Sequence, residues 1–287
     1  MQAENMRRLW KEVAARRPLI HCLTNVITVE SCANAILGLG ATPVMAHHIE
    51  EVAEITAHSR ALLCNLGATE YMEQMKCSAV VAAAEGIPLV LDPVGVGSSG
   101  FRRKFCLDQL SRWRPTVIRG NASEMRALYE NRRTANGVDA EPCVTAVGDR
   151  PCDQGQCDPS TEILKELCQM AAEMARLWQT MIMISGPTDV ISDGERTVLI
   201  HNDCPALTRI TGAGCIESAV IAAFMGVEQS LEALLTASVL MVVCAERADD
   251  LTKRSGGGQQ TFYQALLDQL SLPTACDLFA NAVIEWV

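Results

Sequence analysis

The 13 cysteines of this 287-residue chain include no Cys-x-x-Cys pair, so the thiol-redox motif is missing and a redox role is disfavoured. Nor is there a long apolar run. The longest, Ala233 to Ala245 in "ALLTASVLMVVCA", stops well short of the roughly 20 residues that a membrane crossing takes. Positive charge is also in deficit, with 24 basic against 34 acidic side chains and a formal net charge of -10. That balance argues against a nucleic-acid footprint; any phosphate bound is expected to be small and held at one site. The opening stretch "MQAENMRRLWKEVAARRPLIHC" carries charge throughout, lacks the apolar centre of a secretory signal, and reads as an amphipathic helix. The cysteines are odd in number and scattered through apolar runs such as "ALLCNLG" and "LMVVCAE", which suits a reducing compartment. Together these absences predict a soluble, cytoplasmic protein with no membrane and no nucleic-acid partner.

What is present is ample core material. Hydrophobic residues make up 49% of the chain, enough for one domain spanning residues 1–287. Short β-rich runs alternate with longer Ala- and Glu-rich segments: "TPVMA" (42 to 46), "ALLCNLG" (61 to 67), "IPLVLDPVG" (87 to 95), "TVIRGN" (116 to 121) and "MIMISG" in the 180s. Runs apolar throughout suit strands covered on both faces, and the segments between them suit crossover helices. The fold class predicted is α/β, with a central, mostly parallel sheet and helices on both faces. "DVISDGERTVLIHN" places two strand-like runs around an Asp193-Gly194 turn signal, a hairpin expected to close one edge of the sheet. From Cys215 onward the pattern is nearly all helical, with Gly256-Gly257-Gly258 as a loop. Residues 131 to 160, polar and rich in turn formers, read as a surface excursion rather than a domain boundary.

In an open α/β sheet, ligands bind beyond the carboxyl ends of the strands, so polar residues that end apolar runs are the first candidates. Asp92 ends "VLDPVGVGSSG"; Arg119 ends "VIRGNASEM", which opens a helix near Asn121 with Glu124 in its first turn; Ser185 and Gly186 end "MISGPTD". The fourth candidate is "RITGAGCIESAV", where Gly212, Ala213, Gly214 and Cys215 open an apolar helix. Glycines let a backbone approach an anion closely, and the helix dipole adds partial positive charge, so a phosphate fits there. A threonine N-cap followed by a tight turn explains the same letters.

Each of the other candidates has a similar double reading. Asp92 and Glu124 offer oxygen ligands of the kind Mg²⁺ takes in small number, alongside water and substrate phosphates. They equally suit a turn-initiating Asp before Pro93 and an acidic residue in a helix capped by Asn121 or Ser123. Arg119 suits a clamp on polyphosphate oxygens, although a surface ion pair is the commoner fate of an arginine. His47-His48 lacks surrounding ligands at metal spacing, and Cys143, Cys152 and Cys157 are unevenly spaced for zinc, so these three are assigned as surface thiols.

The ordered set "TNVIT", "ATPVMAH", "LDPVGVG", "RGNASE", "SG" before a hairpin and then "TGAGC" resembles the hydroxyethylthiazole kinase family of the ribokinase-like superfamily, from about residue 8 to the C-terminus. The resemblance implies a ribokinase-like fold, Mg²⁺, and transfer of the γ-phosphoryl group of ATP to the primary alcohol of 5-(2-hydroxyethyl)-4-methylthiazole in thiamin salvage. A homotrimer with sites at subunit interfaces is implied as well. Met45, Gly212 and Asn25 correspond to thiazole-binding positions, Arg119 and Ser185 to ATP-binding positions, and Asp92 and Glu124 to the Mg²⁺ and phosphate region. The amides of Gly212, Ala213, Gly214 and Cys215 then hold the transferring phosphoryl group.

Many ribokinase-like enzymes carry a catalytic Asp where this chain has Cys215. At a helix N-terminus the thiol pKa is expected to fall, making Cys215 a weak base that orients the substrate hydroxyl. A covalent cysteine mechanism competes, but none of the five histidines forms a recognisable Cys-His motif. The rival readings are a pyridoxal or hydroxymethylpyrimidine kinase, an ATP-dependent hydrate dehydratase, and a non-catalytic nucleotide-binding subunit. Two departures from the family pattern stand out: residues 139 to 160 look longer and richer in cysteine, and "GGGQQTF" replaces a Gly-Pro-Gly-Ser-like signal.

Overall fold

The computed structural model describes residues 2–130, 159–272 and 279–287. The segment of residues 139 to 160, with Cys143, Cys152 and Cys157, lies almost wholly outside the described residues.

Nine strands form one sheet among the described residues. In chain order they are β1 (Leu19–Leu23), β2 (Thr42–Val44), β3 (Ala61–Asn65), β4 (Leu89–Asp92), β5 (Val117–Asn121), β6 (Met181–Ser185), β7 (Asp189–Ser192), β8 (Thr197–Ile200) and β9 (Ile284–Trp286), and the spatial order is β2-β1-β3-β4-β5-β6-β7-β8-β9. The pairs from β2 through β6 are parallel and the remaining three antiparallel. All the strand-like runs singled out in the sequence are strands.

Successive residues of the central strands feed opposite layers. Ala61 and Leu63 of β3 join the core beneath α1 (Gln2–Arg16), α2 (Val29–Gly38), α8 (Ala213–Met225), α9 (Leu231–Ser255) and α10 (Gln259–Ser271). Leu62 and Cys64 join the core beneath α3 (Val52–His58), α4 (Met72–Glu85), α5 (Gly100–Trp113), α6 (Ala122–Tyr129) and α7 (Pro159–Trp178). With both faces covered, no position on these strands needs a polar side chain, which is why the runs show no alternation.

Three expectations change. The opening helix stops at Arg16, and "LIHCL" is strand β1, set between β2 and β3. Pro18 disfavours helical backbone at the residue before it, and Arg17 leaves the helix at a positive φ of 48°. The β7–β8 hairpin lies one strand inside the edge, because β9 pairs with β8 outside it. That short strand also ends the helical run expected of the C-terminal third. The glycine loop is where expected, between α9 and α10.

α8 is the most enclosed helix. Every residue from Cys215 to Met225 is buried, and the helix packs against α2 and α9 and over β1, β3 and β4. Its first turn therefore sits at the carboxyl ends of the central parallel strands, where Asn65 and Asp92 lie side by side in the ladder.

Candidate active site

The site grows from strand ends. Asn65 closes β3 and Asp92 closes β4, and the Asn65 Nδ2 donates to Asp92 Oδ2 at 2.9 Å. Ser218 Oγ, from the second turn of α8, donates to the same oxygen at 2.9 Å. The other Asp92 oxygen, Oδ1, is buried without a hydrogen-bond partner among the described residues. Burial pushes the Asp92 carboxyl up to about 7, reinforced by Glu124 and opposed by Arg119 and the Ser218 hydroxyl. Asp92 is thus not spent on the turn before Pro93: its side chain faces α8.

Arg119 comes from β5 and is buried as well. Its Nη2 donates to Glu217 Oε2 of α8 at 2.5 Å and to Ser185 Oγ, at the end of β6, at 3.0 Å. Burial opposes the charge, but Glu217, Asp92 and Glu124 hold the guanidinium firmly protonated. Its Nε has no partner among the described residues. The surface ion pair considered for Arg119 is replaced by a buried one.

The start of α8 is not the threonine-capped turn that "TGAGC" also allowed. The N-cap is Gly212 rather than Thr211, at a φ of 82°, and no side chain caps the helix. Two close approaches crowd this turn: a Cβ at Gly212 would strike Thr28 Cγ2, and one at Gly214 would press on Arg119 Nη1. Among the described residues no side chain caps the first-turn amides, and the Arg119 guanidinium lies against Gly214.

α6 starts differently. Asn121 accepts from the Glu124 amide at 2.9 Å, and Glu124 Oε2 accepts from the Asn121 amide at 3.1 Å, forming a reciprocal capping box. Glu124 Oε1 accepts from the Gly95 amide at 2.9 Å. Both Glu124 oxygens are engaged, and burial raises its carboxyl against the pull of those two amides.

Cys215 corrects an expectation. Its thiol is pushed up to about 11, not down, because burial and the neighbouring Asp92 outweigh Thr28, Asn65 and Arg119. The dipole at the helix start acts on a sulfur already removed from water, and desolvation wins. The sulfur accepts from Asn65 Nδ2 at 3.1 Å and from Asn25 Nδ2 at 3.5 Å.

Asn25, Asp92, Arg119, Ser185, Gly212, Gly214 and Cys215 are thereby linked in one neighbourhood. Met45 lies past the end of β2, half-buried against the layer that contains α8. His47 near it stacks on Tyr71 with ring centroids 4.7 Å apart. Sequence reasoning missed Asn65, Glu217 and Ser218. Asn65 was findable, since it ends the run "ALLCN" as Asp92 ends its own.

No group of three or more His, Cys, Asp or Glu is arranged to cage a metal among the described residues. An orphaned carboxylate oxygen on Asp92 with Glu124 nearby fits Mg²⁺ instead, which keeps most of its shell for water and phosphate oxygens.

The model of the hydroxyethylthiazole kinase family matches residues 10–275. Hydroxyethylthiazole kinase 1 of Methanosphaera stadtmanae is 37% identical over 272 residues, covering 93% of this chain and 92% of that protein. The solved structure of the hydroxyethylthiazole kinase protein from Pyrococcus horikoshii superposes with a TM-score of 0.83 at 30% identity, covering 99% of each chain. The pyridoxal kinase of Bacillus subtilis, solved as an ADP complex, shares the fold alone, with a TM-score of 0.56 at 13% identity over 79% of this chain and 91% of that one. A match over most of the chain, an open helix start beside a buried arginine and the same architecture in a solved relative lead to one assignment: the chain belongs to the hydroxyethylthiazole kinase family.

Proposed function

We propose that this chain transfers the γ-phosphoryl group of ATP to the primary alcohol of 5-(2-hydroxyethyl)-4-methylthiazole, giving hydroxyethylthiazole phosphate and ADP for thiamin synthesis. Family membership supports the reaction. The observation that carries it is the uncapped first turn of α8, with Arg119 packed against Gly214 and the Asp92 carboxylate beside it. Phosphoryl transfer through a loose transition state depends mainly on positioning and charge stabilisation, and this arrangement offers both.

In this reading the amides of Gly212, Ala213, Gly214 and Cys215 hold the phosphoryl oxygens. Arg119 and Ser185 bind ATP. Asn25, Met45 and Gly212 contact the thiazole. Mg²⁺ is held by Asp92, with Glu124 behind it, and supplies charge neutralisation among the phosphates when bound. Cys215 orients the alcohol as a neutral thiol rather than removing its proton, because a thiol pushed up to about 11 is not a base at neutral pH.

A homotrimer with sites at its interfaces belongs to the same proposal. Val26 and Ile27, next to Asn25, are 67% and 73% exposed, and a neighbouring subunit would cover them. A sedimentation mass of one chain would remove the trimer. A cytoplasmic location accords with nine free cysteines among the described residues and with no helix there long and apolar enough to cross a membrane.

The test is ADP release by purified protein with Mg²⁺-ATP, comparing hydroxyethylthiazole, pyridoxal and hydroxymethylpyrimidine. Turnover with the thiazole alone is expected. Turnover with a pyridine or pyrimidine instead would move the acceptor assignment, and silence with all three would point to a nucleotide-binding subunit without catalysis.

A further inference from the structure

Asn65 is buried with no exposed surface, and its amide orientation is fixed by its neighbours. The Gly67 N–H donates to Oδ1 at 2.8 Å, and only an oxygen can accept it. Nδ2 must then face the other way, where it meets Asp92 Oδ2 at 2.9 Å and Cys215 Sγ at 3.1 Å. A primary amide has two N–H donors, and both are used. Asn25 Nδ2 lies 3.5 Å from Asn65 Oδ1 and from Cys215 Sγ, so the turn between β1 and α2 joins the same group.

Each partner belongs to a different piece of chain. Asp92 ends β4, Cys215 lies in the first turn of α8, Asn25 precedes α2, and Gly67 follows β3. One amide therefore fixes the spacing between the helix start and the β4 carboxylate. Ser218 also reaches Asp92 from α8, but from the helix's second turn; the Cys215 sulfur meets Asn65 and Asn25, with Thr28 beside it. Asp92 has no donor from its own loop in this set.

We propose that Asn65 is a positioning residue for phosphoryl transfer, holding the Cys215 sulfur and the Asp92 carboxylate in register so that the α8 amides and the metal-binding side of the site meet the same phosphoryl group. The inference rests on the kinase reading above. Positioning of this kind acts on the transition state more than on ground-state binding, because a small misplacement of reacting groups costs rate before it costs affinity.

The experiment is a double-mutant cycle on the full chain with Asn65→Ala, Cys215→Ala and the double variant, measuring kcat and KM for ATP and for the thiazole alcohol. Asn65→Ala is expected to lower kcat by about 10-fold or more with little change in either KM. In the Cys215→Ala background the loss should shrink by about 3- to 10-fold, the worth of one ordinary hydrogen bond. A residue that merely fills space would give the same loss in both backgrounds, and equal losses would overturn the proposal, as would a change confined to KM. If Asn65→Ala does not fold, Asn65→Ser takes its place, since its hydroxyl can still accept from the Gly67 amide while losing the second donor. A wild-type protein without thiazole turnover would refute the kinase reading itself. A wild type that turns over while the cycle is additive would refute only the role of Asn65.

Discussion

Two helices begin at the carboxyl end of this sheet and treat their exposed amides in opposite ways. At α6, Asn121 and Glu124 close the first turn with a reciprocal pair of bonds. At α8, no side chain caps the turn and Gly212 holds the chain at a positive φ. One helix start is finished by its own residues and the other waits for something else. The contrast lies in what is withheld at α8: the side-chain cap is absent, the two glycines leave no Cβ in the way, and an arginine from β5 brings charge to the opening, the setting that suits an anion.

The severest way to break this contrast is to remove the arginine. Arg119→Met leaves Glu217 buried without its partner and is expected to destabilise the fold by about 3–5 kcal/mol, read in urea unfolding. Changing Glu217 to Leu in the same protein should restore much of that stability while ATP turnover stays lost. Full activity in the double variant would show that Arg119 serves packing alone.

Next comes a matched pair of substitutions, one at each helix start. Gly214→Ala is expected to reduce turnover by about 100-fold, the scale of losing a preorganised anion donor, because the new Cβ displaces Arg119. Asn121→Ala is expected to cost about 1 kcal/mol of stability with turnover little altered. The comparison fails if these roles reverse, so that the α6 variant loses catalysis and the α8 variant only melts earlier.

The mildest effect concerns the thiol. Because the folded-state value for Cys215 is raised to about 11, the sulfur stays protonated through neutral and mildly alkaline pH. Wild type and Cys215→Ala should therefore give parallel pH–rate profiles between about pH 7 and pH 9, with a modest, constant drop in the variant. A wild-type rate that climbs across that window while the variant stays flat would restore the thiolate.

Much of this could be read locally. The apolar runs ending in Asp92 and Ser185 are strands ending at those residues, while the strand with Arg119 runs two residues further to Asn121; burial on both faces writes itself as an unbroken apolar run. Asn121 with Glu124 three residues later is a helix start that needs no other part of the chain. β1 escaped because "LIHCL" follows a charged helix with only Pro18 as a break, and β9 because three residues carry too short a pattern. Glu217 escaped for another reason. Its partner lies 98 residues away in the chain, so no local signal distinguishes it from any other polar residue in a buried run.

The sequence by itself determined the layered α/β architecture, the strand ends that carry the site, and the set of motifs shared with the family, because these depend on hydrophobic period and on side chains close together in the chain. Only the tertiary structure decided that the helix beginning within "TGAGC" starts without a side-chain cap. It also decided that Arg119 is buried against α8, and that the Cys215 thiol is raised rather than lowered. Each of those outcomes turns on which groups are removed from water together, and desolvation is a property of the packed fold.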